Sequence, residues 1–160
     1  MADDARDGSD SDLRLARPTD VRALTALIRA AYSGYTTLLG RTPLPMLTDF
    51  ASAIVDHDVW VVETGGTIVA AIELVPFADH LWLDNVAVHP GWQGRGIGRR
   101  LLGFAESEAR RRGLAEVRLL TNERYVANIA MYERHGYRET HREPHRGTDL
   151  VHFRKELDSE

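Results

Sequence analysis

The chain of 160 residues contains no cysteine. That excludes a disulfide scaffold, a thiol nucleophile and any Cys-ligated zinc or iron–sulfur centre, and it fits a reducing compartment. Lysine is nearly absent as well: Lys155 stands against nineteen arginines, read here as codon bias of a GC-rich genome rather than as function. No apolar run approaches the roughly 18 residues that a membrane-spanning helix needs. The start, MADDARDGSDSD, is acidic and lacks an apolar stretch, so it is not a secretory signal. Positive charge is in deficit, with 20 basic against 24 acidic residues and a net charge of −4, which argues against a generic nucleic-acid binder. The expectation is a cytoplasmic protein with neither nucleic-acid nor membrane partners.

What is present fits one ordinary globular domain: 43% hydrophobic and 28% charged residues over a length that buries a real core. Residues 1–12 hold five aspartates, one arginine and no bulky apolar residue after Met1. Such a segment cannot offset its ordering entropy, so a disordered acidic tail is expected there and a single domain over 13–160. Leu13 to Arg17 alternates like a short strand. A helix is expected to start at Pro18-Thr19-Asp20, capped by Thr19 or Asp20, with Val21, Leu24, Leu27, Ile28 and Ala31 at helical spacing. A loop is expected over 33–45 and a second helix over 46–55.

Val59–Val62, Thr67–Leu74 and Leu81–Val88 read as strands, with Gly65-Gly66 as a hairpin signal. A helix opens near Gly96 with Ile97, Leu101, Leu102, Ala105 and Ala109 on one stripe, and Gly113 stops it. Val117–Leu120 is the next strand and Val126–His135 the last helix. Tyr137–His141 and Leu150–Arg154 close the chain as a hairpin around a loop at 143–148. The order β-α-α-β-β-β-α-β-α-β-β is a mixed α/β layer, not the regular alternation of a doubly wound sheet.

The chemistry concentrates between Leu83 and Leu102, where a strand runs into a glycine-rich turn that opens a helix. Glycines allow close backbone approach and positive φ. The first helical N–H groups lack partners within the helix and carry the positive end of its dipole, which makes an anion site. Arg95, Arg99 and Arg100 add charge on the same turn. A phosphate or pyrophosphate ligand follows from these residues. The glycines are spaced G-x-G-x-G, so they do not match the dinucleotide fingerprint, and the Gly-Lys-Ser/Thr of a phosphate-loop ATPase is missing.

Gln93-Gly94-Arg95-Gly96-Ile97-Gly98 resembles the Q/R-x-x-G-x-G/A acyl-CoA motif of the GNAT superfamily of N-acetyltransferases, and Val86 to Pro90 resembles that family's fourth strand. Asn128 to Tyr137 resembles the family's second signature, Asn…(Leu/Met)-Tyr-Glu-x-x-Gly-(Phe/Tyr). The resemblance covers residues 13–156. It implies an α/β fold with a mixed, mostly antiparallel sheet of six to seven strands, a splayed central strand pair and about four helices. It implies acetyl-CoA as cosubstrate, with no metal. Gln93, Gly94, Arg95, Gly96, Ile97, Gly98 and Arg99 would bind its pyrophosphate. Val86, Ala87 and Val88 would pair with its pantetheine arm, and Asn128 would bond that arm. Tyr132 would sit beside the sulfur and protonate the leaving thiolate. In relatives that acetylate ribosomal-protein N-termini, an asparagine lies seven residues before the tyrosine. Here Asn122 lies ten before Tyr132 and Asn128 four before it, so the turn between them differs.

The implied acetyl transfer requires a neutral amine, although an alkylammonium has a pKa of roughly 10. A base must take that proton, and Asp84 and Glu73 are the acidic residues inside the relevant strands. Either one could equally face solvent. The departing thiol has a pKa of about 8.5, within reach of a phenol acting as acid. The resemblance places the acceptor wall on the first helix–loop–helix and the closing hairpin: Tyr32, Tyr35, Arg41, Met46 and Phe50, with residues of 143–148. Arg41 suits a carboxylate or phosphate on the substrate. Each of these could instead cap the core. The expected activity is acetyl transfer to a primary amine of a small molecule. The alternatives are a protein N-terminal or lysine acetyltransferase, or a non-catalytic acyl-CoA sensor. A homodimer is compatible with any of them.

Overall fold

The computed structural model describes residues 12–158; the rest of the acidic tail expected over 1–12 lies outside them. Seven strands form one sheet in the order β1-β2-β3-β4-β5-β7-β6. They are β1 (Asp12–Leu15), β2 (Asp58–Thr64), β3 (Thr67–Pro76), β4 (Leu81–Val88), β5 (Glu116–Asn122), β6 (Arg138–His145) and β7 (Thr148–Glu156). Four α-helices accompany them: α1 (Val21–Leu39), α2 (Phe50–Asp56), α3 (Ile97–Arg111) and α4 (Val126–Arg134). Every strand pairing is antiparallel except β4 with β5. No helix of the described residues is long and apolar enough to cross a membrane.

Two hydrophobic clusters lie on the two faces of the sheet. One holds Ile97, Leu101, Leu102, Ala105 and Ala109 of α3 and Tyr132 of α4 against Ile72, Leu74 and Phe153. That α3 stripe is the one its spacing predicts. The other packs Leu24, Leu27, Ile28 and Tyr32 of α1 and Phe50 of α2 against Val59, Val61, Ala71 and Ala87.

The departures from sequence expectation have local causes. Asp12 belongs to β1, paired with Glu63, rather than to the tail. No side-chain cap from Thr19 or Asp20 starts α1. Asp20 instead accepts from the Arg17 backbone N–H at 2.7 Å and from Arg14 Nη1 at 2.8 Å, and Arg14 Nε reaches Glu63 at 2.9 Å. The expected loop at 33–45 is helical as far as Leu39. Tyr35 packs its ring on Tyr125 with centroids 4.2 Å apart, which overrides the weak propensity of Ser33, Gly34 and Thr36. Gly40 then stops the helix at φ 74°. The expected helix over 46–55 is split, with a 3₁₀ turn at Leu44–Leu47 and then α2. The carboxylate of Asp49 accepts from the N–H groups of Ala51 and Ser52 and restarts the helix. No loop exists at 143–148. β6 and β7 continue to a two-residue turn at Arg146 (φ 50°) and Gly147 (φ 84°), a pair of positive φ values that suits a hairpin's twist.

The Arg14–Asp20–Glu63 cluster ties the first strand to the start of α1 and to β2. Arg14 holds the Asp20 carboxyl below its ordinary pKa, chiefly through their hydrogen bond. A depressed carboxylate stabilises the fold above its unfolded pKa, and that contribution is lost as pH falls through the folded value. Asp20→Asn is therefore expected to cost about 2 kcal/mol at neutral pH, with the deficit shrinking as pH falls from the usual aspartate range toward the lowered folded pKa. Urea melts of both proteins from pH 7 to pH 3 would check this; a deficit independent of pH would contradict it.

Candidate active site

The site begins where two parallel strands part. β4 and β5 pair only at Leu81 with Val117 and Trp82 with Arg118. Beyond that point β5 follows β7 and β4 follows β3. The β3–β4 register passes from Glu73–Asn85 to Leu74–Leu83, which leaves Asp84 as an extra residue on β4. Such a bulge bends a strand and increases its twist, and the open edge of β4 from Asn85 to Val88 faces the resulting wedge.

Two cavities occupy the wedge. One, of about 760 Å³, is lined by Val86, Ala87, Val88, the turn from Trp92 to Gly98 without Arg95, and Arg99, Asn128, Met131, Arg134 and His135. The other, of about 280 Å³, is lined by Asp84, Asn85, Asn122, Tyr125, Tyr132 and His145, with Arg41 and Leu150. Tyr32 and Val86 line both. The Tyr32 hydroxyl donates to Val86 O at 3.3 Å and is within hydrogen-bonding reach of the Asn128 side chain. The N–H and C=O of a strand residue point to the same edge, so the Val86 N–H also faces the wedge.

The larger cavity has features that suit an anion. The lining contains Arg99 and Arg134 and no carboxylate. No side chain caps α3, whose N-cap is Gly96 at φ 83°, so the first amides of the helix remain available. Gly94 also has φ 80°, and a Cβ at either glycine would point into open space. Gly98 differs: a Cβ there would stand 2.9 Å from Met131 Sδ, so this glycine lets α3 approach α4. Gln93 Nε2 donates to Val88 O at 3.2 Å, which holds the turn on the strand. These features fit a pyrophosphate.

The acetyltransferase (GNAT) domain family matches residues 55–139, more than half the chain. The chain belongs to the GNAT acetyltransferases. It is similar to the [ribosomal protein bS18]-alanine N-acetyltransferase of Escherichia coli K12, 39% identical over 61 residues, or 38% of this chain. The chain spans 41% of the length of the curated relatives it matches. Among solved structures it resembles the PaiA N-acetyltransferase of Thermoplasma acidophilum in complex with coenzyme A, with a TM-score of 0.77 and 19% identity over 92% of this chain and 99% of that one. It also resembles the ribosomal-protein-S18-alanine N-acetyltransferase of E. coli, with a TM-score of 0.76 and 24% identity over 94% and 96%. Those likenesses show that the fold is the GNAT fold, with its mostly antiparallel sheet and four helices.

Within this GNAT domain the expected site residues separate. Val86 to Val88, Gln93, Gly94, Gly96 to Arg99 and Asn128 line the larger cavity. Arg95 does not; its guanidinium lies over the Trp92 ring, 4.5 Å from the centroid. Tyr132 lines the smaller cavity. Its ring is buried against Tyr137 and Phe153, and burial raises its pKa, so the phenol stays protonated. Asp84 lines the same cavity and accepts from Trp82 Nε1 at 2.9 Å. Glu73 borders neither cavity. It is 3% exposed, lies 2.6 Å from His57 Nδ1, and has a raised pKa chiefly because of burial, with the His57 bond opposing. Of the two asparagines, Asn128 lines the larger cavity. Asn122 lines the smaller one, donating to Thr148 Oγ1 at 2.9 Å and accepting from the Arg124 N–H.

The proposed acceptor wall is only partly there. Tyr32 lines both cavities, Tyr35 the larger and Arg41 the smaller. Met46 and Phe50 line neither: Phe50 is core beneath α2, and Met46 packs on the same cluster. Arg134 and His135 were not among the expected site residues, and Met131 was read only as part of the second signature. Met131 and His135, three and seven residues on from Asn128, fall near its helical face, whereas Arg134 at six has no such signal. Trp82 and Tyr125 have no comparable signal, because only the wedge brings β4 and the β5–α4 turn together, whereas His145 falls within the expected 143–148 part of the wall and lines the smaller cavity.

Proposed function

We propose that this protein transfers an acetyl group from acetyl-CoA to a primary amine of a small molecule, by direct attack in a ternary complex. The observation that carries this is the meeting of an anion-binding cavity and a second chamber at one strand residue, Val86. The cationic lining, open glycine turn and uncapped α3 support the larger cavity as the coenzyme side, with Gln93 to Arg99 on its pyrophosphate and Asn128 on its arm. When bound, acetyl-CoA supplies an activated acetyl thioester. The Val86 N–H at the open edge of β4 is placed to stabilise negative charge on the carbonyl oxygen. The Tyr132 hydroxyl, kept protonated by burial, donates its proton toward sulfur. Asp84, on the bulge and in the acceptor chamber, receives the ammonium proton directly or through water.

A small acceptor is favoured because the second chamber is roofed. Arg41 Nη1 donates to Arg146 O at 3.2 Å and Nη2 to Thr148 Oγ1 at 3.2 Å, tying the segment after α1 to the β6–β7 turn. A second reading, acetylation of a protein N-terminus, draws on the curated relative's activity toward bS18 alanine. Incubation with acetyl-CoA and amines, followed by a free-thiol readout, tests the proposal. A parallel arm with an alanine-initiated peptide separates the two readings, and coenzyme binding with no acetyl transfer to any amine would mark a sensor.

Asp84→Asn is expected to shift or flatten the acidic limb of kcat/KM. The loss should shrink as pH rises toward the amine pKa of roughly 10, where free amine accumulates. A pH profile that overlays the wild type would clear Asp84. Glu73→Gln, which lines neither cavity although its carboxyl lies close enough to Asp84 to feel its charge, is expected to act mainly on stability.

A further inference from the structure

The acceptor chamber carries opposite charges on two of its walls. Asp84 stands on the β4 bulge. Arg41 stands where the segment after α1 meets the β6–β7 turn, bonded only to the neutral Arg146 O and Thr148 Oγ1. Among the described residues no carboxylate pairs with this half-buried guanidinium. A guanidinium carries five N–H donors, so most of its capacity is unspent. Between the two walls, Asn85 is 8% exposed and its Oδ1 has no partner; His145 Nε2 has none either.

Buried polar atoms without partners and cations without counter-charge are costly. A ligand that supplies the missing groups recovers that cost. We propose that the amine acetylated here carries a carboxylate: the acceptor is a small aminocarboxylate, its amine toward Asp84 and Val86 and its carboxylate on Arg41. This rests on the acetyl-transfer reading above. Asn85 Oδ1, an acceptor only, suits an N–H of the substrate. Tyr125 and Leu150 supply apolar wall for the body between the two ends. A phosphate would bring a second negative charge, and no second arginine or lysine lines the chamber; a carboxylate matches the single guanidinium.

Matched acceptors test this on the wild-type protein with acetyl-CoA: gamma-aminobutyrate, its methyl ester and propylamine; phenylalanine, its methyl ester and phenethylamine. Rates are compared per neutral amine. In at least one triple the free acid is expected to exceed its ester and its descarboxy amine in kcat/KM by about 10–100-fold, the effect of one charged hydrogen-bonded contact. Arg41→Gln should collapse that acid-to-amine ratio, and Arg41→Lys should restore part of it. The ratio is the readout because a general loss of folded protein lowers both rates alike. Esters and amines that match the acids in every triple would overturn the proposal, as would a ratio unchanged in Arg41→Gln. If no amine of either triple consumes acetyl-CoA while calorimetry shows the coenzyme bound, the small-amine reading itself falls and takes this inference with it.

Discussion

Tyr132→Phe is expected to lower kcat by about 10²–10⁴-fold while leaving coenzyme affinity nearly unchanged. The substitution keeps the ring, and with it the contacts to Tyr137 and Phe153 at centroid separations of 6.0 and 6.1 Å. Only the hydroxyl is removed. Burial raises the pKa of this phenol, so across the neutral and alkaline range it holds the proton that a leaving thiolate needs, and no alkaline limb should come from its ionisation near pH 10. Steady-state rates with a good amine and calorimetric coenzyme binding check both halves. Near wild-type turnover in the variant would show that solvent protonates the thiolate and that Tyr132 serves packing alone.

Gly96→Val is expected to weaken coenzyme binding by about 100-fold, the equivalent of one strong charged hydrogen bond at the pyrophosphate. The protein itself offers no clash, since a Cβ at Gly96 has no atom within 4 Å. Two other effects act. The left-handed φ of 83° is strained for a β-branched residue and costs about 1–3 kcal/mol. The side chain also enters the space that the ligand backbone contacts require. Gly98→Ala provides the contrast, because its Cβ meets the flexible Met131 thioether and the damage should be smaller. Calorimetry well below the melting temperature separates affinity from stability. Unchanged affinity in a folded Gly96→Val protein would remove the pyrophosphate assignment.

The periodic and glycine-bearing parts of the chain were legible in the sequence alone. β4 matches Leu81–Val88, and the α3 stripe from Ile97 to Ala109 is the buried one, because strong amphipathic spacing leaves one face to bury. The turn before α3 was legible for a related reason: positive φ at Gly94 and Gly96 is a local backbone demand that only particular residues meet. Segments shaped by contacts distant in sequence were not. Ser33 to Leu39 is helical because Tyr35 packs on Tyr125, ninety positions away. The closing hairpin was legible at Tyr137–His141 and Leu150–Arg154, but not its continuation from Arg142 to His145, which is largely exposed, shows no alternation, and is a strand only through pairing with β7.

For the site, the sequence determined the family, the glycine-rich turn that opens α3 and the identities of Asn128 and Tyr132 as residues of interest. Tertiary structure alone decided which acidic residue borders the smaller cavity. Asp84 and Glu73 read alike as carboxylates within strands. The unpaired residue in the β3–β4 register is Asp84, which the bulge turns to the chamber, whereas Glu73 is buried against His57. A bulge is a property of two strands in register, and a counter-charge is missing only relative to neighbours. Neither the bulge at Asp84 nor the unpaired guanidinium of Arg41 exists until β3, β4 and the closing hairpin are assembled around them.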